Sequence, residues 1–372
     1  MVLGGALAGA PLLVHAPHVT LEELREELQR INLDLLELLS RRARVVEQAR
    51  AVKERDGIPA HVPEREQAML DALVAANRGP FPDETVRRLF KEIFHASLAL
   101  LESGRRQTLK VSRASGGSAR TVRIGGVTIG GEPVVIAGPC AVEDEAQMDT
   151  VGRRLHELGV PLLRGGAFKA RSSPYAFQGL GRRGLEILRD TGRRYGLAVV
   201  TEVTDTRLVE LVAEHADALQ IGSRNMHNYE LLCEAGRAGK PVLLKRGLAA
   251  TLEEFLWAAE YVVLQGTEQV VLCERGIRTF ETQTRNTLDV SAIALLREQT
   301  WLPVIADVSH AAGRKDILPA LARAALAAGA QGVMVEVHPC PAVARSDAQQ
   351  QLDLDEFERL LDATGLRRRN DP

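Results

Sequence analysis

The run PVVIAG (133–138) opens a series whose reading sets the fold. VPLLRGG (160–166), LAVVTEV (197–203), DALQIGS (217–223), PVLLKRG (241–247), EQVVLCERG (268–276), LPVIADVSH (302–310) and GVMVEVHP (332–339) follow it. Each run is short and nearly unbroken in its apolar character, and helical patterns separate one from the next. Strands apolar on both faces belong to a parallel sheet covered on both sides. Eight such units over about 240 residues fit a closed (β/α)8 TIM barrel better than an open doubly wound sheet. No GxGxxG follows the first run, which weakens a dinucleotide fold.

Outward from that series, TVRIGG-VTIGG (121–131) reads as a short hairpin turning at Gly125-Gly126, and SGRRQTLKVSRASGGSAR (103–120) as a polar linker. Further upstream, apolar positions 21, 24, 28, 31, 35, 38, 45, 49 and 52 form a heptad seam on one long helix. Thr20 is its N-cap, and Glu23 completes a capping box. The helix stops at Asp56-Gly57, and Pro59 and Pro63 prevent its return. Two shorter helices are expected near 63–77 and 83–102. They cannot cover a seam about 50 Å long, so a second copy of the chain is expected to. The expected class is α/β, with a (β/α)8 barrel at 121–372 after an all-α domain at 19–104 and a linker at 105–120.

The 372 residues carry 47 basic and 49 acidic side chains, a net charge of −2. That balance argues against a nucleic-acid footprint or a polybasic membrane patch. No apolar run approaches the length of a membrane helix. The opening MVLGGALAGAPLLVHAP has no basic residue to begin a signal peptide and reads as a loose extension. Four scattered cysteines without a CxxC point to a reducing cytoplasm. There are 40 arginines and only 7 lysines, so a lysine in a special place says more than an arginine does.

Barrel chemistry collects at the C-terminal strand ends. Those ends supply Cys140, Arg164, Lys169, Glu202, Arg224, Lys245, Glu274, Arg275, Asp307, His310, Glu336 and His338. Arg164, Lys169, Arg171, Arg224, Lys245 and Arg275 would crowd one mouth, an arrangement that needs anions among them. A small phosphorylated substrate is implied, with or without a carboxylate. Cys140, His310, Glu336 and Asp347 offer one sulfur, one nitrogen and two oxygens. Taken singly, Cys140 reads first as a small buried hydrophobe and His310 as a satisfied core histidine. Together they would suit Mn²⁺, Fe²⁺, Co²⁺ or Zn²⁺ rather than Mg²⁺ or Ca²⁺, provided the barrel closes and brings its ends together. In the helical region Arg42 breaks the apolar seam, with Lys53 three turns on along the same face. Arg42 either snorkels out past its stem or lines an anion pocket.

IAGPCAVE, LRGGAFKARSSPYAFQGLG, TEVTD, IGSRNMHN, LLKRG, CERGIRTFE, DVSH, EVHP and SDAQQ, in this order, resemble the type I 3-deoxy-D-arabino-heptulosonate 7-phosphate (DAHP) synthases. The subgroup is the one close to the 3-deoxy-octulosonate 8-phosphate synthases. LEELREELQRINLDLLELLSRRARVV, PEREQAML and RRLFKEIFHAS resemble the all-helical chorismate mutases. The synthase resemblance implies condensation of phosphoenolpyruvate with erythrose 4-phosphate, the opening step of the shikimate pathway. It implies Cys140, His310, Glu336 and Asp347 as ligands of a divalent metal ion. Arg164, Lys169, Arg224, Lys245 and Arg275 become the phosphoenolpyruvate cradle, with Ser223 beside Arg224 and Glu202 among them. Arg171 and Ser172 would hold the aldose phosphate, Asp307 would meet the aldose hydroxyls, and Lys169 could move a proton if its cationic neighbours lower its pKa. Lys-Ala-Arg-Ser (169–172) and Asp-Val-Ser-His (307–310) each lack a proline the family carries, which loosens geometry without removing a reactive group. SRNM (223–226) favours the four-carbon aldose over the octulosonate synthase's substrate.

The mutase resemblance implies ligand binding by Arg25 (from across a dimer), Arg42, Lys53, Arg65 and Glu66. Val62 stands where that family has Asp, and Leu101 where it has the Gln that bonds the breaking ether oxygen. Hence the expectation is a regulatory domain sensing chorismate or prephenate, in a homodimer or tetramer. The alternatives are a fully bifunctional enzyme, a sensor whose barrel has lost turnover, and an aldolase using a Schiff-base lysine.

Overall fold

The computed structural model describes residues 20–56, 63–106, 109–118, 120–169 and 175–367. The opening extension, Gly57, Pro59, Val62, Arg171 and Ser172 lie outside them. The chain divides into two compact units, Met1–Arg105 and Arg106–Pro372.

The first unit holds three helices, α1 (Leu21–Asp56), α2 (Pro63–Ala75) and α3 (Asp83–Arg106). Helix α1 begins on the expected capping box: Glu23 N–H donates to Thr20 Oγ1 at 3.2 Å, and Thr20 N–H donates to the Glu23 carboxylate at 2.7 Å. Leu70 and Phe94 are buried here, whereas Leu21, Leu24, Leu28, Ile31, Leu35 and Leu38 along the seam are exposed. Arg42 breaks that seam without stranding its charge. Its guanidinium carbon lies 4.9 Å from the Phe94 ring centroid, and Nη1 donates to Ser97 Oγ. Arg25 and Lys53 share α1 with it, Arg65 and Glu66 open α2, and Leu101 falls on α3.

The second unit starts with a hairpin, β1 (Val122–Ile124) and β2 (Val127–Ile129), paired antiparallel. Alternating strands and helices follow: β3 (Val134–Gly138), α4 (Glu145–Glu157), β4 (Leu162–Arg164), α5 (Arg182–Tyr195), β5 (Ala198–Glu202), α6 (Val209–His215), β6 (Ala218–Ile221) and α7 (Tyr229–Arg237). Then come β7 (Val242–Lys245), α8 (Leu252–Val263), β8 (Val270–Glu274), α9 (Val290–Gln299), β9 (Val304–Asp307), α10 (Val308–Ala312), α11 (Leu318–Ala327), β10 (Gly332–Glu336) and α12 (Leu354–Thr364). Strands β3 to β10 form a closed parallel barrel, shut where β10 pairs with β3 from Gly332↔Val134 to Glu336↔Gly138. All eight apolar runs are barrel strands.

Two apolar clusters divide the work. One lies between strands and helices; the other fills the barrel, where Val134, Ile136, Leu162, Val200, Leu243, Val271, Ile305 and Met334 meet Val122, Ile124 and Ile129 of the hairpin. The hairpin therefore stoppers the N-terminal end and leaves the C-terminal end for chemistry. Ile124→Ala should cost about 2–5 kcal/mol, read as a lower urea midpoint with turnover per folded molecule unchanged; an unshifted midpoint would show that the stopper carries no load.

The stretch expected as a linker is partly built into the two units. Helix α3 takes its first four residues, and Lys110–Gly116 docks on the base of the barrel. Val111 is fully buried, Ser112 bridges to Thr300, and Glu260 accepts the N–H groups of Lys110 and Val111 at 3.0 and 3.1 Å. Polar composition concealed the apolar anchor that Val111 makes with Leu109.

Candidate active site

Strand β3 ends at Gly138, whose φ of 146° lets the chain pass against β4; a Cβ there would lie 2.0 Å from the Arg164 carbonyl oxygen. The turn delivers Cys140. Strand β10 ends at Glu336, and barrel closure sets the two side by side. Asp347 arrives on the following loop with φ 48°, the one non-glycine residue with positive φ among the described residues. Ligand atoms of Cys140, Glu336 and Asp347 lie within 4.8 Å of one another. His310 Nε2 is 3.4 Å from Glu336 Oε1 and 3.9 Å from Asp347 Oδ2.

Neighbours tune these groups. Burial pushes the Cys140 thiol up to about 11, while Ser346 Oγ lies 2.8 Å from its sulfur and Lys169 Nζ 3.1 Å. Burial likewise lowers the pKa of His310, favouring the neutral imidazole that can donate a lone pair. Burial also works to raise Glu336 and Asp347. The His310 ring and Arg164 overcome it at Glu336, and Arg285 overcomes it at Asp347, which falls to about 2. Gln350 Nε2 donates to Glu336 Oε2 at 2.6 Å and fixes that carboxylate's orientation. One soft sulfur, a neutral imidazole and two anionic carboxylates at this spacing fit a divalent transition ion.

Asp307 departs from expectation. It was to meet aldose hydroxyls, but it is fully buried and its oxygens are spent. Oδ1 accepts the His310 N–H at 3.0 Å, and Oδ2 lies 2.8 Å from His310 Nδ1 and pairs with Lys245 Nζ. Its place is behind the histidine, orienting the ring so that Nε2 faces the other donors. Glu274 and His338 also end strands without lining the cavity. Glu274 pairs with Arg246, and His338 Nδ1 takes the Cys340 N–H at 3.0 Å.

Above the donor set lies a cavity of about 170 Å³, lined by Arg164, Lys169, Glu202, Ser223, Arg224, Lys245 and Arg275. Arg278, Arg285 and Asn286 line it too, along with His310 and Asp347, so seven cationic side chains among the described residues face one space. Arg164 is tied to Glu336 Oε1 at 2.7 Å and to the Pro139 carbonyl at 2.8 Å, while its Nε is buried without a partner. Ser223 Oγ is similarly unpartnered. Two buried donors without acceptors at the wall of a cationic cavity suit an anionic guest.

A closed parallel barrel with such a mouth is that of a (β/α)8-barrel enzyme handling acidic substrates, and comparison with known proteins gives the family. The chain belongs to the DAHP synthetase I family, whose model matches residues 109–366. The chorismate mutase type II model matches residues 24–102. A phospho-2-dehydro-3-deoxyheptonate aldolase of Thermotoga maritima is 49% identical over 265 residues, 69% of this chain and 78% of that protein. A 2-dehydro-3-deoxyphosphooctonate aldolase of Syntrophotalea carbinolica is 35% identical over 261 residues, 65% of this chain and 93% of that protein. The crystal structure of the Thermotoga maritima DAHP synthase matches with TM-score 0.67 at 49% identity, over 69% of this chain and 76% of the other. No helix among the described residues is long and apolar enough to cross a membrane.

Proposed function

We propose that this chain condenses phosphoenolpyruvate with erythrose 4-phosphate, releasing DAHP and inorganic phosphate. The observation that carries the reading is the single cavity in which seven cationic side chains among the described residues meet His310 and Asp347, the two members of the donor set that line it. Two phosphates and one carboxylate supply the negative charge that such a cavity lacks. Cys140, His310, Glu336 and Asp347 would hold the metal ion, a Lewis acid for the aldehyde oxygen when bound. Arg164, Arg224, Lys245 and Arg275 bind the carboxylate and phosphate of phosphoenolpyruvate, with Ser223 as a further donor. Arg171 and Ser172 are assigned the aldose phosphate. The enol C3 bonds to the aldehyde carbon, water adds at C2, and the C–O bond to phosphate then breaks. Lys169, whose Nζ is 2.8 Å from the Cys140 carbonyl, hands a proton to the new alkoxide in this reading, and Glu202 lines the same cavity. Asp307 serves the reaction by holding His310.

The four-carbon aldose is favoured by the Ser-Arg-Asn-Met run and by the higher identity to the heptonate relative. Erythrose 4-phosphate should support turnover at least ~10-fold faster than arabinose 5-phosphate, measured as phosphate release. A chelator should abolish it and Mn²⁺ restore it. A reversed preference would move the chain to the octulosonate reaction, and turnover that survives chelation would favour a Schiff-base aldolase.

The helical unit is read as a regulatory domain that binds chorismate or prephenate through Arg25, Arg42, Lys53, Arg65 and Glu66, with Ser97 added by its bond to Arg42. Exposed leucines along α1 support a homodimer in which a second copy covers the seam, extended by barrel contacts to a tetramer. Chorismate should slow the full chain's condensation but not that of a chain beginning at Arg106, and conversion of chorismate to prephenate should be slow. Rapid conversion would make the protein bifunctional and overturn the weight placed on Leu101.

A further inference from the structure

Glu274, singled out at the end of β8, has no place in the reaction just described, yet its carboxylate binds both ends of the loop joining β8 to α9. Oε1 accepts the Gly276 N–H at 2.6 Å and the Asp289 N–H at 3.4 Å. Arg246 Nη1 donates to Glu274 Oε2 at 2.9 Å and to Asp289 Oδ2 at 2.9 Å. Arg246 is itself anchored through Nε on the Ala250 carbonyl at 3.0 Å, and Asp289 spends its other oxygen on the Ala292 N–H at the start of α9. Arg246 and Glu274 are buried.

Along the tied loop lie Arg275, Arg278, Arg285 and Asn286, all of which line the cavity. The loop's path is narrow. Gly276 turns at φ 84°, and a Cβ there would lie 2.8 Å from the Asn286 Cβ and 3.1 Å from the Ala311 Cα. Adjacent loops are stitched to it, with Arg278 N–H donating to the Leu248 carbonyl at 2.7 Å. A buried cation between two carboxylates is a poor source of stability compared with apolar packing, but its directional bonds fix geometry. We infer that Arg246, Glu274 and Asp289 are positioning residues, a clasp that aims the β8–α9 loop and so sets affinity for the anionic substrates. This rests on the cavity being the phosphoenolpyruvate and aldose-phosphate site.

The test uses the full-length, metal-loaded enzyme with Arg246→Met, Arg246→Lys and Asp289→Asn, reading kcat, KM for each substrate, metal content and the thermal midpoint. Arg246→Met should raise KM for phosphoenolpyruvate by about 10- to 100-fold with metal content unchanged, and Arg246→Lys should recover most of the loss. Asp289→Asn, partly exposed, should give a smaller rise and keeps the test available if Arg246→Met does not fold. Wild-type KM in folded variants overturns the clasp, as does a lowered midpoint with KM unmoved, the mark of a purely structural network. A wild-type enzyme that leaves phosphoenolpyruvate unconsumed overturns the underlying reading and the clasp with it, and the wild-type arm alone reveals that case.

Discussion

Cys140→Ser should cut condensation by about a thousandfold or more, equivalent to about 4 kcal/mol of barrier, with the fold intact. The substitution is nearly isosteric and its surroundings are already polar, since Ser346 Oγ and Lys169 Nζ both approach the sulfur. What goes is the one soft donor of the set, so equilibrium dialysis should show weaker Mn²⁺ or Zn²⁺ retention alongside the lost turnover. A pH series separates this from a packing effect. Burial pushes the thiol up to about 11, so binding through the thiolate must expel a proton. Affinity of the wild type should then rise with pH, by up to about tenfold per unit below that value, and weaken as pH falls. The serine variant should lose that part of the slope. Equal metal affinity and equal slope in both proteins would remove Cys140 from the site.

Arg164→Met should be nearly as damaging, for a different reason. Arg164 Nη1 is 2.7 Å from Glu336 Oε1, and both side chains are buried. Taking away the cation strands a carboxylate at 0% exposure, a change that costs about 3–5 kcal/mol when one partner of a buried pair is lost. The thermal midpoint should fall and condensation should drop below about a thousandth of the wild type. Glu336, now held below the usual carboxylate range by His310 and Arg164, should move up. Metal retention by the variant should therefore fail as pH drops through that raised value, at a pH where the wild type still holds its ion. Adding Glu336→Gln should return much of the midpoint and none of the turnover. A variant with wild-type midpoint and turnover would contradict both roles of the pair.

The barrel was legible because burial on both faces forces its strands into nearly unbroken apolar runs, and each of the eight marks a strand. The capping box at Thr20 and Glu23 and the hairpin at Gly125-Gly126 were legible because residues a few positions apart set each of them. Arg278 and Arg285 were not. Among 40 arginines neither stands out, and both face the cavity from a loop whose path depends on the buried Arg246, a residue that a sequence shows only as one more charge. Asp307 misled because a carboxylate at a strand end reads the same whether it faces substrate or braces a histidine. The choice belongs to the His310 ring, three residues on, and to Lys245 Nζ, which arrives from a strand 62 residues earlier. Ser103–Arg120 misled through averaging: its composition is polar, and Val111, with Leu109 packed beside the same core, carries the anchor.

Cys140 and Glu336 come from the first and last staves of the barrel, joined by the β10–β3 seam. A ribosome must release nearly the whole barrel before these two side chains can meet, and a chain stopped short of β10 has half a binding site at each end and a whole one nowhere. Assembly of the reaction centre and completion of folding are thus one event.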